Sequence, residues 1–148
     1  IARIRRKKVI ILLTMKVFGI AAGPDNEFSV LLADPEDKYI LPIAIGPFEA
    51  QAIAIPLSGD EPPRPLTHDL LKSVCDAMGG MVKHIVITGI KEGVYYAEVH
   101  IQHNGKVTVV DSRPSDAIAL AVRCLCPIYM VPRLVEFTIE YKDIIAQE

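Results

Sequence analysis

Long apolar runs are missing from this chain. The longest, VIILL and AIALAV, fall well short of the roughly 20 residues that a membrane-spanning helix needs. No secretory leader is read at the start, because the basic opening is followed by too short an apolar run and by no small-residue cleavage site. Cysteine is scarce: Cys75, Cys124 and Cys126 make an odd number without CxxC spacing, which argues against a disulfide framework and against a zinc site. The expectation is three reduced, mostly buried thiols and a cytoplasmic protein. Four signatures of catalysis or cofactor binding are also absent, namely GxSxG, the Walker loop, GxGxxG and HExxH.

A basic excess is lacking as well. The formal net charge is −2, and the opening IARIRRKK holds five of the 16 basic residues and no acid. Residues 9–148 therefore carry 11 basic and 18 acidic residues, a net of −7. A duplex-binding domain usually presents a basic face, so any contact with RNA or DNA must use a local arginine or lysine patch or the N-terminal arm. Met15 reads as a natural start. The chain is accordingly divided into a basic and apolar extension at 1–14, a domain at 15–135 and a tail at 136–148. Neither a long linker nor a repeat interrupts it.

What is present is enough for one core. With 148 residues and 51% hydrophobic composition, a domain of this size hides roughly 70% of its unfolded surface without staples. Strands are expected at 16–21, with 9–13 as an added strand or loose arm, then at FSVLLAD and KYILPIAI. Pro42 within the last places it at an edge or bulge, since proline has no N–H for the ladder. PFEAQAIAIPLSG reads as a helix opened by Pro47 and ended by Pro56 and Gly59. LTHDLLKSVCDAMGG reads as a second helix, with Thr67 as its cap, Leu70, Leu71, Val74 and Met78 at helical spacing, and Gly79-Gly80 as its stop. Residues 81–111 read as a three-stranded antiparallel meander, with Val82, His84, Val86 and Thr88 on one face. Asn104-Gly105 marks one of its hairpins, because both central positions of such a turn need positive φ. RPSDAIALAVRCLC is a third helix, apolar all round and so deeply buried. CPIYMV is a short buried strand, PRLVEF a short helix, and the rest a tail with helical character. The order of elements points to an α+β domain with a mixed or antiparallel sheet, a meander towards its C-terminal side and three main helices.

The candidate chemistry sits at helix starts. RPLTHDLLKS from Arg64 and RPSDAIALAVR from Arg113 each place an Arg-Pro pair and then an aspartate in a first helical turn. Glu49 follows Pro47 in the same way. A carboxylate there meets free backbone N–H groups and the positive end of the helix dipole, at about 0.3–1 kcal/mol, which is sufficient reason for any one of them. Together they allow more. Arg64 and Arg113, with Thr67 and Ser115, are candidates to hold phosphate at exposed helix N-termini. Asp69, Asp116 and Glu49 have the hard oxygens that suit a divalent cation, Mg or Mn. His68 is placed to move a proton or orient water. His100 and His103, three apart on a strand, point to opposite faces. Cys126 has no activating neighbour in sequence. Of Tyr95 and Tyr96, one is expected in the core.

The strings LPIAIGPFEAQAIAIPLSG, PPRPLTHDLLKSV and DSRPSDAIALAVR…PIYM, spread over about residues 16–131, resemble the bifunctional nuclease domain family. The resemblance implies a compact α+β domain that self-associates as a homo-oligomer and a nuclease activity on RNA and DNA. Positions matching the family's motifs include Glu49, Arg64, Thr67, His68, Asp69, Arg113, Ser115 and Asp116. Their roles as catalytic, phosphate-binding or metal residues are inferred from their chemistry. The expected function is a nuclease of low sequence specificity, cytoplasmic and without membrane contact. Its rival is a non-catalytic oligomeric module that binds an anion or a protein, in which the Arg–Asp motifs are internal salt bridges.

Overall fold

A computed structural model describes residues 11–145. The first strand, β1 (Leu13–Ala22), pairs antiparallel with β2 (Phe28–Ala33), and β2 with β3 (Tyr39–Ile45). Residues 9 and 10 of the expected added strand lie outside the described residues, whereas Leu13 and Thr14 belong to β1. The turn between β2 and β3 is built on Asp34, whose carboxylate accepts the amides of Glu36, Lys38 and Tyr39. Burial pushes its pKa up, but those amides outweigh it and hold the group below its usual value.

Helices α1 (Pro47–Ser58) and α2 (Thr67–Ala77) follow, then the meander β4 (Met81–Lys91), β5 (Val94–His103) and β6 (Lys106–Ser112). Its hairpins turn at Glu92-Gly93 and Asn104-Gly105, all four with positive φ, the geometry that a two-residue hairpin turn demands. Helix α3 (Pro114–Cys124) leads into β7 (Ile128–Met130), a 3-10 turn at Pro132–Phe137, the two-residue strand β8 (Ile139–Glu140) and the short α4 (Tyr141–Ile145).

All eight strands form one sheet in the order β6-β5-β4-β7-β1-β2-β3-β8. Every neighbouring pair is antiparallel except β4 and β7. The three-residue β7 thus joins the N-terminal hairpins to the meander. Helix α3 packs on α1, α2, β4 and β5. Its buried residues include Ala117, Ile118, Ala119, Leu120 and Ala121, and the three alanines let the surrounding elements approach closely. The architecture is α+β with a mixed sheet.

Four sequence expectations need correction. Pro56 does not end α1 but lies inside its last turn, and Gly59, at φ 80, is the stop. Thr67 is the first helical residue of α2, and the cap position is Leu66. A register shift between Val82 and His84 places Val82, not His84, in line with Ile85 opposite buried Val99. One inserted residue reverses a strand's faces, which period-2 reading does not anticipate. Finally, PRLVEF is the expected short helix, of 3-10 type, but the tail after it begins with β8 on the edge of β3 before turning helical in α4. Pro42 does lie on an edge stretch, because β8 covers only Tyr39 and Ile40 of β3.

Candidate active site

The three helix starts share one design. Gly46, Leu66 and Arg113 occupy the cap positions of α1, α2 and α3, and Glu49, Asp69 and Asp116 each stand three residues later. Only Asp69 closes on its own helix, accepting the Leu66 amide at 2.8 Å. Glu49 and Asp116 turn outward to a common guanidinium. Arg113 donates through Nε to Asp116 Oδ2 at 2.8 Å, through Nη2 to Asp116 Oδ1 at 3.2 Å, and through Nη1 to Glu49 Oε1 at 3.2 Å. Gly46 allows this placement, since a Cβ there would collide with the Glu49 carboxylate.

Helix α2 contributes the histidine. His68 Nε2 lies 2.9 Å from Asp116 Oδ1, across 48 residues of chain. The side chain of His68 is 14% exposed, that of Asp116 34%, and that of Arg113 64%. The guanidinium beside Asp116 holds its carboxyl below the usual range, with His68 acting in the same direction and burial opposing. Arg113 is correspondingly raised, first by its hydrogen bond to Asp116. An ionised Asp116 favours the Nε2–H tautomer of His68, which leaves Nδ1 as the basic nitrogen.

These groups rim an open cleft of about 720 Å³. Thr67, His68, Arg113 and Asp116 form its polar end, Asp111 and Ser112 stand beside them, and Leu70, Leu71, Val74, Val82, Val99 and Val110 line much of the rest. The apolar stripe of α2 therefore faces this cleft and solvent rather than the core, and no residue of α2 is buried. Arg113 also lines a second cleft of about 540 Å³, walled by residues 42–46 of β3 and the chain after it, Glu49, Tyr95 and Ser115. Ser115 is buried at 7% exposure, with no side-chain capping bond.

Not all the sequence candidates gather here. Thr67, His68, Arg113 and Asp116 line one cleft, with Glu49 joined through Arg113. Arg64 is exposed and lines a separate shallow depression with Asp60, Glu61, Asp69 and Ser73. Asp69 is engaged elsewhere, by Arg123 Nε at 2.7 Å. Its carboxyl is held below the usual range, first by the Leu66 amide and then by Arg123. Among the described residues no three His, Cys, Asp or Glu side chains are grouped so as to hold a metal ion.

Arg123 is the residue that sequence reasoning missed. It is 5% exposed and also donates through Nη1 to the carbonyls of Ala52 in α1 and Ala119 in α3, both at 2.8 Å. The Ala52 carbonyl would ordinarily accept the amide four residues on, but that residue is Pro56. Arg123 thus fills the bond that Pro56 cannot make and ties all three helices together. The available signal was a single arginine closing an otherwise apolar helix. Of the remaining candidates, Cys126 is excluded as a thiolate by burial, which pushes its pKa to about 11. Tyr95 packs against the core while Tyr96 stays exposed. His100 stacks on His84, with ring centroids 4.3 Å apart, and bonds Glu98.

Known proteins resemble this chain over most of its length. An uncharacterized protein of Mycobacterium tuberculosis is 42% identical over 117 residues, covering 78% of this chain and 70% of that protein. Bifunctional nuclease 2 of Arabidopsis thaliana is 30% identical over 102 residues, 67% of this chain but 31% of the plant protein. Bifunctional nuclease 1 of Oryza sativa subsp. japonica is 27% identical over 116 residues, 76% of this chain and 35% of its own length. The sequence model of the bifunctional nuclease domain matches residues 30–140, most of the chain, and the chain therefore belongs to the bifunctional nuclease domain family.

Proposed function

We propose that this protein hydrolyses phosphodiester bonds in RNA and DNA with low sequence specificity, and that the Arg113–Asp116–His68 constellation carries the reaction. The observation behind this is the hydrogen-bonded chain linking two helix starts at the rim of an open cleft. A guanidinium has five N–H donors. Three of Arg113's are engaged by Asp116 and Glu49, which leaves two for a phosphate. Activity on DNA as well as RNA rules out the 2′-hydroxyl as the shared nucleophile, since DNA has none, and water takes that role in this proposal. His68 Nδ1 takes a proton from that water as its oxygen bonds to phosphorus. The bond to the leaving oxygen breaks, that oxygen takes up a proton from solvent, and His68 returns its own proton to solvent. Asp116 keeps the imidazole oriented and offsets its charge as the proton arrives. Arg113 offsets the charge growing on the phosphoryl oxygens.

A divalent cation, Mg or Mn, enters the proposal as a competitor for the same oxygens. Bound to Glu49 and Asp116, it would displace the guanidinium that bridges them. The excess of carboxylates here, with Asp111 at the same rim, favours some added positive charge before a polyanion settles. Asp69 belongs in the proposal as a support of α2 beside His68 rather than as a ligand. The test is cleavage of single-stranded RNA and DNA, with and without chelator, by wild type, His68→Gln and Arg113→Ala. The expected result is activity in the wild type and a loss of at least a hundredfold in both variants. Undiminished cleavage by folded variants overturns the assignment.

A second reading, an oligomeric module that binds a protein or an anion, is favoured by a different observation. Leu70, Leu71 and Val74 of α2 and Val110 of β6 are exposed and line the same cleft, and β6 ends the sheet with no strand beyond it among the described residues. A contiguous apolar surface of this kind marks an interaction face. Under that reading the wild type cleaves neither substrate, with or without chelator, so the His68 and Arg113 variants have no cleavage to lose.

A further inference from the structure

We infer that Arg113 divides the site into two nucleoside subsites, one on each side of the phosphate it holds, so that the smallest full substrate is a single-stranded dinucleotide. The inference rests on the nuclease reading and names the substrate of the same site. Arg113 is the one described residue common to both clefts, sharing the first with α2 and β6 and the second with the end of β3 and Glu49. Their volumes, about 720 and 540 Å³, each fall within the roughly 300–1,000 Å³ of sites for small molecules.

The two linings offer different recognition. The first cleft is aliphatic, and its exposed Leu70, Leu71, Val74 and Val110 give a base an apolar wall. The second offers the ring of Tyr95 for stacking. It also offers the β3 backbone beyond Ile40, where β8 no longer pairs. A base held in a duplex presents neither its faces nor its pairing edge, so either cleft admits only an unpaired base.

Charge sets the length. Among the described residues lining the two clefts, Arg113 is the only lysine or arginine, and Glu49, Asp111 and Asp116 line them with it. One phosphate finds a partner here and a second does not. A strand longer than two nucleotides therefore gains little more from these clefts.

Calorimetric titration of the full chain with a nuclease-resistant dinucleoside phosphorothioate, beside the matching 3′- and 5′-mononucleotides, tests this. The expected result is one dinucleotide per chain, bound at least tenfold more tightly than either mononucleotide. Val110→Trp in the first cleft and Ala44→Trp in the second, both at exposed positions, should each remove that advantage. A dinucleotide that binds no better than a mononucleotide overturns the inference, as does wild-type binding by both tryptophan variants. The wild-type comparison stands if either variant fails to fold. Cleavage is measured separately: tight dinucleotide binding without turnover upholds the two subsites and contradicts the nuclease reading.

Discussion

Arg113 and Arg123 each meet an aspartate three residues into a helix, yet their surroundings give them opposite duties. Arg123 is 5% exposed and Arg113 is 64% exposed. Breaking a buried pair leaves an uncompensated charge and costs about 3–5 kcal/mol. With Asp69 partly solvated, Arg123→Met should lower unfolding stability by about 3 kcal/mol, measured by urea denaturation. An exposed pair is worth only about 0–1 kcal/mol, so Arg113→Ala should leave stability nearly unchanged. Its cleavage rate should fall by about a hundredfold or more, the usual effect of losing a donor to a developing oxyanion. Asp116 adds a pH signature. Its carboxyl is depressed in the folded state, so the stability it contributes is complete above the unfolded value of about 3.9. That contribution is lost as the pH falls through the folded value. Urea midpoints of wild type and Asp116→Asn should therefore differ near neutrality and converge in strong acid. The residues of this rim were legible in the sequence because acid after Arg-Pro at a helix start is a short-range pattern. Arg123 was not, because its partners lie 54 and 71 residues away and no local period encodes them.

The three helices carry different shares of the fold. Helix α3 runs through the core, and Ile118 is fully buried at 0% exposure. Ile118→Ala should cost about 2–5 kcal/mol, read from the same denaturation curves. Helix α2 buries none of its residues, so Val74→Ser, at an exposed position, should change stability by about 0.5 kcal/mol or less. If it lowers dinucleotide affinity while sparing stability, the stripe serves the cleft. Periodicity made both helices legible in outline, since apolar spacing and Gly stops are local. It did not reveal that one apolar stripe faces the core and the other a cleft. Spacing records that a side chain is apolar and on one face of a helix, and the element packed against that face is chosen by the whole chain. The bulge at β4 escaped for the same reason, being a property of the pairing with β5.

At the scale of the whole molecule, one chain crossing explains why the site exists. The strand β7 completes the sheet between β4 and β1, and α3, which leads into it, lies against both α1 and α2. That packing brings Glu49, His68 and Asp116 from three separate helices onto the rim around Arg113. Family membership and α+β class were both readable from long ordered motifs. The separation of Arg64 from Arg113 was not, because the loop of residues 60–66 sets Arg64 in a depression of its own beside Asp60 and Glu61 rather than at the cleft. The net acidic residues 9–148 and the single arginine among the described cleft residues also set an expectation: binding of long duplex DNA by these clefts should be weak compared with that of a short unpaired strand. The most direct measurement is the cleavage rate of purified single-stranded RNA and DNA by wild type and by His68→Gln, with folding verified in both. The account predicts turnover in the wild type and a loss of at least a hundredfold in the variant on both substrates. Equal rates, or no cleavage by the wild type with or without added Mg or Mn, would contradict it.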